Sequence, residues 1–243
     1  MAVSRLVFLH GFTQTHHHWH GPANAIADAL VGDHTLTFID LPGHGLSSAE
    51  RAAISPSGEA LARLGGSGTW VGYSMGARFA LHAALAPTHH IERLVLIGAT
   101  AGMEDNDERA DRRALDEQRA VTIETRGVDA FLDEWLAMPM FASLPADQDA
   151  LAHRRRNSGA GLASSLRLSG TGNQESLWHR LREIDVPVLL LAGEHDSKFV
   201  GVGQRMAAAL PNALFTAIAD AAHAAHTEQP ERVAAAIRAW VRP

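Results

Sequence analysis

Short, unbroken apolar runs recur along this 243-residue chain and alternate with segments of helical periodicity. Six of them have the length of strands: Leu6–Leu9, Thr35–Ile39, Thr69–Val71, Leu94–Ile97, Val188–Leu191 and Leu214–Ala217. Runs that are apolar throughout, rather than at alternate positions, indicate strands buried on both faces of a parallel sheet. Helical patterns follow at Met75–Leu85, Gly203–Leu210 and Pro230–Trp240. The sequence therefore predicts an α/β fold with a mostly parallel, doubly wound sheet.

The alternation stops once, between Ile97 and Val188, where no strand pattern occurs. That gap is far longer than an ordinary connection. Helical spacing is present there in three stretches: residues 105–120, 127–137 and 147–168. A disordered insertion is the alternative, but the aromatic residues of this region are unusual in a solvated segment. We predict a helical cap at residues 104–183 over the carboxyl edge of the sheet, with the core formed by residues 1–103 and 184–243.

Composition and charge exclude several classes of function. The chain has 21 basic and 27 acidic residues, a formal net charge of −6, and so no broad attraction to phosphate backbones. It has no cysteine, which excludes disulfides, thiolate nucleophiles and cysteine-ligated metals. It also lacks a signal-peptide pattern and an apolar stretch of about 20 residues. We expect a cytoplasmic protein, a monomer or weak homo-oligomer, that binds neither nucleic acid nor membrane.

The strongest chemical signal is a G-x-S-x-G segment, GYSMG at residues 72–76, which directly follows the third apolar run and opens a helical pattern. In this context the segment predicts a tight turn that raises the hydroxyl of Ser74 above the sheet edge. The amide of Met75, at a helix N-terminus, and the amide of Phe12, after the first run, would form an oxyanion hole. A glycine and serine turn without catalytic meaning is the alternative.

A serine nucleophile needs a base and a carboxylate that orients the base, and in this fold both follow it in the chain. Asp196 lies in the turn after the fifth run and is the preferred carboxylate, with Glu194 and the more distant Asp220 as alternatives. His223 is the preferred base because it comes first after the last run. His226, where the final helix begins, is expected to be structural.

Four histidines near the N-terminus raise the question of a metal site: His16, His17, His18 and His20. Consecutive side chains point in different directions, and no carboxylate shares a helical spacing with these histidines. We expect a solvated loop there, and neither a metal nor an organic cofactor. The segment DLPGHGLS at residues 40–47 is expected to be a rigid structural loop beside the site.

These motifs resemble the α/β-hydrolase fold family, through LVFLHGF, FIDLPGHGLS, GYSMG, LLAGEHDSKF and the late His223. Within it, GYSMGAR, Trp135 followed by PMFASL, NSGAGLASSLRLSGTG and GEHDSKF resemble the 2-succinyl-6-hydroxy-2,4-cyclohexadiene-1-carboxylate synthases of menaquinone biosynthesis. The resemblance implies a cofactor-free lyase that eliminates pyruvate from 2-succinyl-5-enolpyruvyl-6-hydroxy-3-cyclohexene-1-carboxylate. It also implies that Ser74, activated by His223, abstracts a proton.

The resemblance further implies a small polycarboxylate substrate, which an acidic protein must bind with locally concentrated arginines. Arg78 lies one turn into the nucleophile helix, and Arg112 and Arg154 match substrate-binding positions of the family in the cap. A one-residue shift of either cap helix would turn a different guanidinium inward. The neighbouring arginines therefore stay open as alternatives: Arg113, Arg155 and Arg156.

Aromatic residues complete the site that the resemblance implies. Tyr73, the only tyrosine, would touch the substrate, and Trp135 with Phe141 would form an apolar wall, although packing is an ordinary role for all three. The alternative functions are a serine esterase or a C–C bond hydrolase of the same fold, which would not need inward arginines. A receptor without catalytic activity is a third possibility.

Overall fold

The computed structural model describes residues 4–19, 26–30, 32 and 34–241. Its strands are β1 (Ser4–Leu9), β2 (His34–Ile39), β3 (Gly68–Tyr73), β4 (Ile91–Ile97), β5 (Val188–Gly193) and β6 (Ala213–Ile218). They form one parallel sheet in the order β2-β1-β3-β4-β5-β6. The predicted fold class is confirmed, and each strand extends slightly beyond its apolar run.

Helices cover both faces of this sheet. They are α1 (Ile26–Leu30), α2 (Ile54–Gly65), α3 (Met75–Ala84), α4 (Asn106–Leu136), α5 (Gln148–Arg155), α6 (Gly159–Ser169), α7 (Ser197–Ala209), α8 (Ala225–Glu228) and α9 (Pro230–Val241). Alternate residues of β1 enter different cores: Val7 packs with α2, α3 and α7, whereas Leu6 and Phe8 pack with α1 and α9. Burial on both faces explains why the strands are apolar throughout. None of the described helices is long and apolar enough to cross a membrane.

The segment between β4 and β5 is helical. Its first helix, α4, begins at Asp105, whose carboxylate accepts hydrogen bonds from the amides of Asp107 and Glu108 at 2.9 Å. The two helical stretches predicted at 105–120 and 127–137 belong to this one helix, which is broken at Gly127 (φ 84°). The single stretch predicted at 147–168 is instead two helices, α5 and α6, because Ser158 caps α6 by accepting from the amide of residue 161.

Hydrogen bonds attach this segment to the loops that follow β1 and β2. The Asn157 side chain, just after α5, donates to the carbonyl of Thr13 at 2.8 Å and accepts from the amide of Gly45 at 2.9 Å. The hydroxyl of Ser169, at the end of α6, donates to the carbonyl of Ala52 at 3.2 Å. Because these loops leave the carboxyl ends of parallel strands, α5 and α6 lie over that edge of the sheet.

The predicted solvated loop of histidines is wrong. His16–Trp19 is a turn of 3-10 helix, and its tryptophan is fully buried. His18 is buried and donates to the carbonyl of Ala150 at 3.1 Å, while the ring of the first histidine donates to Asp40 at 2.7 Å. The apolar body of the tryptophan holds the segment against the core. His20 lies outside the described residues.

Candidate active site

Ser74 lies on the turn between β3 and α3, with φ 50° and ψ −105°. This backbone conformation is strained for a residue with a side chain, and such strain is typical of functional turns. The turn requires its two glycines: a Cβ on Gly72 would lie 2.6 Å from the Cα of Ala77, and a Cβ on Gly76 would lie 2.1 Å from the carbonyl oxygen of Leu9. The spacing of the motif therefore follows from close backbone packing around the serine.

The structure brings Ser74, His223 and Asp196 into one hydrogen-bonded chain. The Nε2 atom of His223 lies 3.2 Å from Oγ of Ser74, and its Nδ1 lies 2.7 Å from Oδ2 of Asp196. The carboxylate can only accept, so Nδ1 carries the proton and Nε2 is free to accept the serine proton. Oδ1 of the same aspartate caps α7 by accepting from the amide of Phe199 at 3.3 Å. One carboxylate thus orients the imidazole and begins a helix.

The alternative acids, Glu194 and Asp220, and the alternative base, His226, are not part of this hydrogen-bonded chain. Glu194 is exposed and accepts from the amide of Asp220, whose own carboxylate pairs with Arg232 at 3.0 Å. His226 is fully buried, and its Nε2 lies 3.3 Å from the side-chain nitrogen of Gln14. Burial lowers the pKa of His226 to about 3, so its ring is neutral.

Ser74 opens into a cavity of about 310 Å³. Phe12 and Met75, the residues predicted to supply oxyanion-hole amides, line the same cavity. Basic side chains dominate its charged lining: Arg78, Arg112, Arg119, Arg154 and Lys198. Among the described residues, Asp196 is the only carboxylate in the lining, and it is already bound to His223. The cavity is therefore suited to a small anion.

Two of these arginines are buried without a carboxylate partner. Arg78, 6% exposed, donates to Oε1 of Gln174 at 3.1 Å and to the carbonyl of Ser169 at 2.8 Å. Arg154, 5% exposed, donates to the hydroxyl of Thr13. Burial lowers the pKa of each guanidinium to about 10, so both stay charged at neutral pH. Among the described residues both guanidinium groups donate to neutral oxygens and neither forms an ion pair, which leaves their charge for a ligand.

Arg112 shares a carboxylate with Arg119, a residue that the sequence analysis missed. Asp116, 1% exposed, accepts from Nε of Arg112 at 2.9 Å, and its Oδ1 lies 3.5 Å from Nη1 of Arg119. The Arg119 guanidinium carbon lies 5.2 Å from the centre of a Trp135 ring, within cation–π range. The signal was the spacing of an arginine, an aspartate and an arginine along one helix face. Lys198, two residues after Asp196, was missed as well.

The neighbouring arginines point elsewhere. Arg113 donates to the carbonyl of Gly172 at 3.1 Å, and Nε of Arg155 lies 3.2 Å from the carboxylate of Asp129. Arg156 is exposed, and none of the three lines the cavity. The orientation of α4 and α5 about their axes therefore places Arg112 and Arg154, and not the neighbouring arginines, in the cavity lining.

Tyr73 and Trp135 both line the cavity and pack against neighbouring rings. The Tyr73 ring centre lies 4.0 Å from that of His226, and burial raises the pKa of the tyrosine hydroxyl, which stays protonated. Trp135 stacks on Phe131 with ring centres 5.8 Å apart and meets the edge of Phe12 at 5.4 Å. Trp135 therefore both lines the cavity, as an apolar wall would, and packs against other aromatic rings, so the two roles considered from the sequence are compatible. Phe141 adjoins Trp135 and also lines the cavity.

Comparison with known proteins agrees with this geometry. The family described as alpha/beta hydrolase fold matches residues 4–230. A 2-succinyl-6-hydroxy-2,4-cyclohexadiene-1-carboxylate synthase of Escherichia coli O139:H28 is 33% identical, with 98% of this chain and 93% of that protein covered. A Bacillus subtilis (strain 168) protein provisionally given the same name is 35% identical, with 94% and 87% covered.

Solved structures give the same result. The structure of MenH from S. aureus superposes with a TM-score of 0.91 and 32% identity, covering 99% of this chain and 94% of that one. A thermophilic esterase from Thermogutta terrifontis, 23% identical with a TM-score of 0.82, covers 98% of this chain and 89% of its own and shares the fold. This chain therefore belongs to the α/β-hydrolase fold family and, within it, to the family of the 2-succinyl-6-hydroxy-2,4-cyclohexadiene-1-carboxylate synthases.

Proposed function

We propose that this chain eliminates pyruvate from 2-succinyl-5-enolpyruvyl-6-hydroxy-3-cyclohexene-1-carboxylate to give 2-succinyl-6-hydroxy-2,4-cyclohexadiene-1-carboxylate in menaquinone biosynthesis. One observation carries the proposal: five cationic side chains converge on the cavity that contains the serine, histidine and aspartate chain. The substrate bears three carboxylates, on the ring, on the succinyl group and on the enolpyruvyl group. A cationic cavity suits this polyanion far better than it suits a neutral ester.

The names of substrate and product define the bonds that change. The ring starts with a double bond between carbons 3 and 4 and ends with double bonds at carbons 2 and 4. A proton must therefore leave carbon 2 and the enolpyruvyl oxygen must leave carbon 5. Carbon 2 carries the succinyl ketone, so the electron pair released there can rest on the ketone oxygen as an enolate. The departing enolpyruvate gains a proton on its terminal carbon to become pyruvate, and the reaction is redox neutral.

The hydrogen-bonded chain has the groups that this elimination needs. In our proposal His223 accepts the proton of Ser74, the serine oxygen removes the proton from carbon 2, and Asp196 stabilises the imidazolium that forms. The enolate oxygen accepts hydrogen bonds from the amides of Phe12 and Met75. Binding of the carboxylates is assigned to the arginines, since each charge-assisted hydrogen bond contributes about 1.5–3 kcal/mol.

The proposal assigns the reactive groups to a core and most of the cationic groups to a cap. We assign residues 104–183 as the cap and residues 1–103 and 184–243 as the core. The chain of Ser74, His223 and Asp196 belongs to the core, and three of the cavity arginines belong to the cap: Arg112, Arg119 and Arg154. The proposed setting is the cytoplasm, with the polycarboxylate as the partner and no nucleic acid or membrane involved.

The decisive experiment supplies the substrate freshly made by the preceding enzyme and measures pyruvate release against spontaneous decay. We expect strong acceleration, lost by about three or more powers of ten in Ser74→Ala. Pyruvate release no faster than the spontaneous rate would contradict the proposal. Rapid hydrolysis of simple aryl esters that is unaffected by Arg78→Ala would favour the esterase alternative.

A further inference from the structure

The peptide that carries the Phe12 amide is held from its opposite side. The carbonyl oxygen of Gly11 accepts two hydrogen bonds, from Nδ1 of His10 at 2.8 Å and from the amide of Gln14 at 3.1 Å. A trans peptide is planar, so the Gly11 carbonyl and the Phe12 N–H point in opposite directions. Two donors that fix the oxygen therefore also fix the direction of the N–H.

The environment of His10 determines which ring nitrogen carries the proton. A carbonyl can only accept, so Nδ1 is the donor, and Nε2 accepts from the amide of Leu41 at 3.1 Å. The carboxylate of Asp40 is 3.6 Å from Nε2, beyond hydrogen-bond distance, and already accepts from the amide of His16 at 2.7 Å. The His10 ring is fully buried, and burial lowers its pKa to about 4. The ring is therefore neutral, with one tautomer imposed by its neighbours.

We propose that His10 is a positioning residue that aims the Phe12 amide at the developing enolate oxygen. The inference rests on the proposed function, which gives that amide its task. The hydrogen-bonded chain through Ser74 does not include His10, and His10 does not line the cavity. It therefore acts through the peptide and not on the substrate.

Other backbone amides of the loop after β1 are also fixed by hydrogen bonds to buried side chains. The side-chain oxygen of Gln14 accepts from the amide of Gly11 at 2.9 Å. Thr13 has a positive φ of 67°, and its amide donates to Nε2 of the buried His44 at 3.3 Å. Donors fixed in advance need no reorganisation during the reaction, which is the condition for strong electrostatic stabilisation of a transition state.

Two amide variants separate positioning from packing. In His10→Asn the carboxamide nitrogen can take the place of Nδ1 and donate to Gly11, but the contact with Leu41 is lost. In His10→Gln the carboxamide reaches the place of Nε2 and can accept from Leu41, but the donor to Gly11 is lost. We expect both variants to have lower melting temperatures. The kcat for pyruvate release should fall about tenfold further in His10→Gln than in His10→Asn, with little change in KM.

A second readout does not depend on the natural substrate. A fluorophosphonate reacts with Ser74 by forming a phosphorus–oxygen bond as fluoride leaves and the serine proton passes to His223, and its phosphonyl oxygen uses the oxyanion hole. Its inactivation rate should fall in the same order as kcat. If the unsubstituted protein releases no pyruvate but the inactivation rates still separate the two variants, the proposed function fails, whereas the role of His10 in orienting the Phe12 amide stands.

Equal rates for the two variants in both assays would overturn the inference. Nitrogen-15 NMR of the unsubstituted protein tests it without any variant, because His10 must show a protonated Nδ1 and an unprotonated Nε2 at neutral pH. The opposite tautomer would also overturn it, whether or not the variants fold.

Discussion

Mild acid should destabilise this protein strongly, because five buried histidines are held neutral. Burial lowers the pKa of His10 and His82 to about 4 and the pKa of His44 and His226 to about 3. Burial also holds the pKa of His18 well below its ordinary value. In the unfolded chain these rings have a pKa of about 6.5, so below that pH the unfolded state binds more protons than the folded state. Their contribution to stability is complete above about pH 6.5 and is lost as the pH falls toward the folded values.

The size of the effect follows from the pKa differences. At pH 5 the solution is about 1.5 units below the unfolded pKa, which corresponds to about 2 kcal/mol for each neutral histidine. Several such groups together approach the whole stability of an ordinary domain, about 5–15 kcal/mol. Near pH 5.5 each histidine adds about one proton to the uptake on unfolding, or about 1.4 kcal/mol per pH unit.

Urea denaturation between pH 5 and 8 measures this slope directly. His82 is a suitable probe because it is buried and its Nε2 has no hydrogen-bond partner among the described residues. His82→Leu should lower the slope by about 1.4 kcal/mol per pH unit. The same substitution at the exposed His90 is the matched control. A free energy of unfolding that stays constant from pH 5 to 7, or an unchanged slope in His82→Leu, would refute the reasoning.

Three further predictions concern the helical segment between β4 and β5. Arg154→Met removes a charged hydrogen-bond donor from the cavity and should lower kcat/KM in the pyruvate assay by about tenfold to a hundredfold. Arg155→Met is the control and should match the parent, because the Arg155 guanidinium pairs with Asp129 instead. Equal losses in the two variants would contradict the assignment of Arg154. Asp116→Asn removes the negative charge that orients Arg112 and Arg119 and should raise KM several-fold. An unchanged KM would show that the two arginines do not need the carboxylate for their orientation. Asn157→Ala removes the hydrogen bonds to both core loops and should lower the free energy of unfolding by about 1–3 kcal/mol; a calorimetric Tm equal to that of the parent would contradict that role.

The strands and the hydrogen-bonded chain could be predicted because each depends on local sequence and on a general rule. Unbroken apolar runs indicate strands covered on both faces, and Val7 and Phe8 do enter opposite cores. The carboxyl ends of parallel strands share one edge of the sheet. Ser74 after β3, Asp196 after β5 and His223 after β6 therefore meet although they are far apart in sequence.

The remaining features depend on tertiary contacts that no local pattern contains. Arg119 enters the cavity because α4 packs on α6 with that face inward and Asp116 binds its guanidinium. A periodic pattern predicts that a helix exists, but neighbouring arginines differ by about 100° around its axis, so orientation needs the packing partner. The buried turn His16–Trp19 was missed for the same reason. Three polar histidines precede the tryptophan, so the local sequence does not indicate that Trp19 packs in the core.

The arrangement of charge explains how one fold can serve both elimination and hydrolysis. A serine activated by histidine can attack a carbonyl carbon or remove a proton, and the atom that lies above Oγ decides between them. Anchoring a polyanion by two or three charged hydrogen bonds, each contributing about 1.5–3 kcal/mol, is enough to select one pose. In our proposal the anchors are guanidinium groups from both sides of the cavity, Arg78 from α3 and Arg154 from α5. On this proposal the hydrogen-bonded chain of Ser74, His223 and Asp196 supplies the reactive groups, and the positions of the arginines determine whether those groups act on a carbon acid or on an ester.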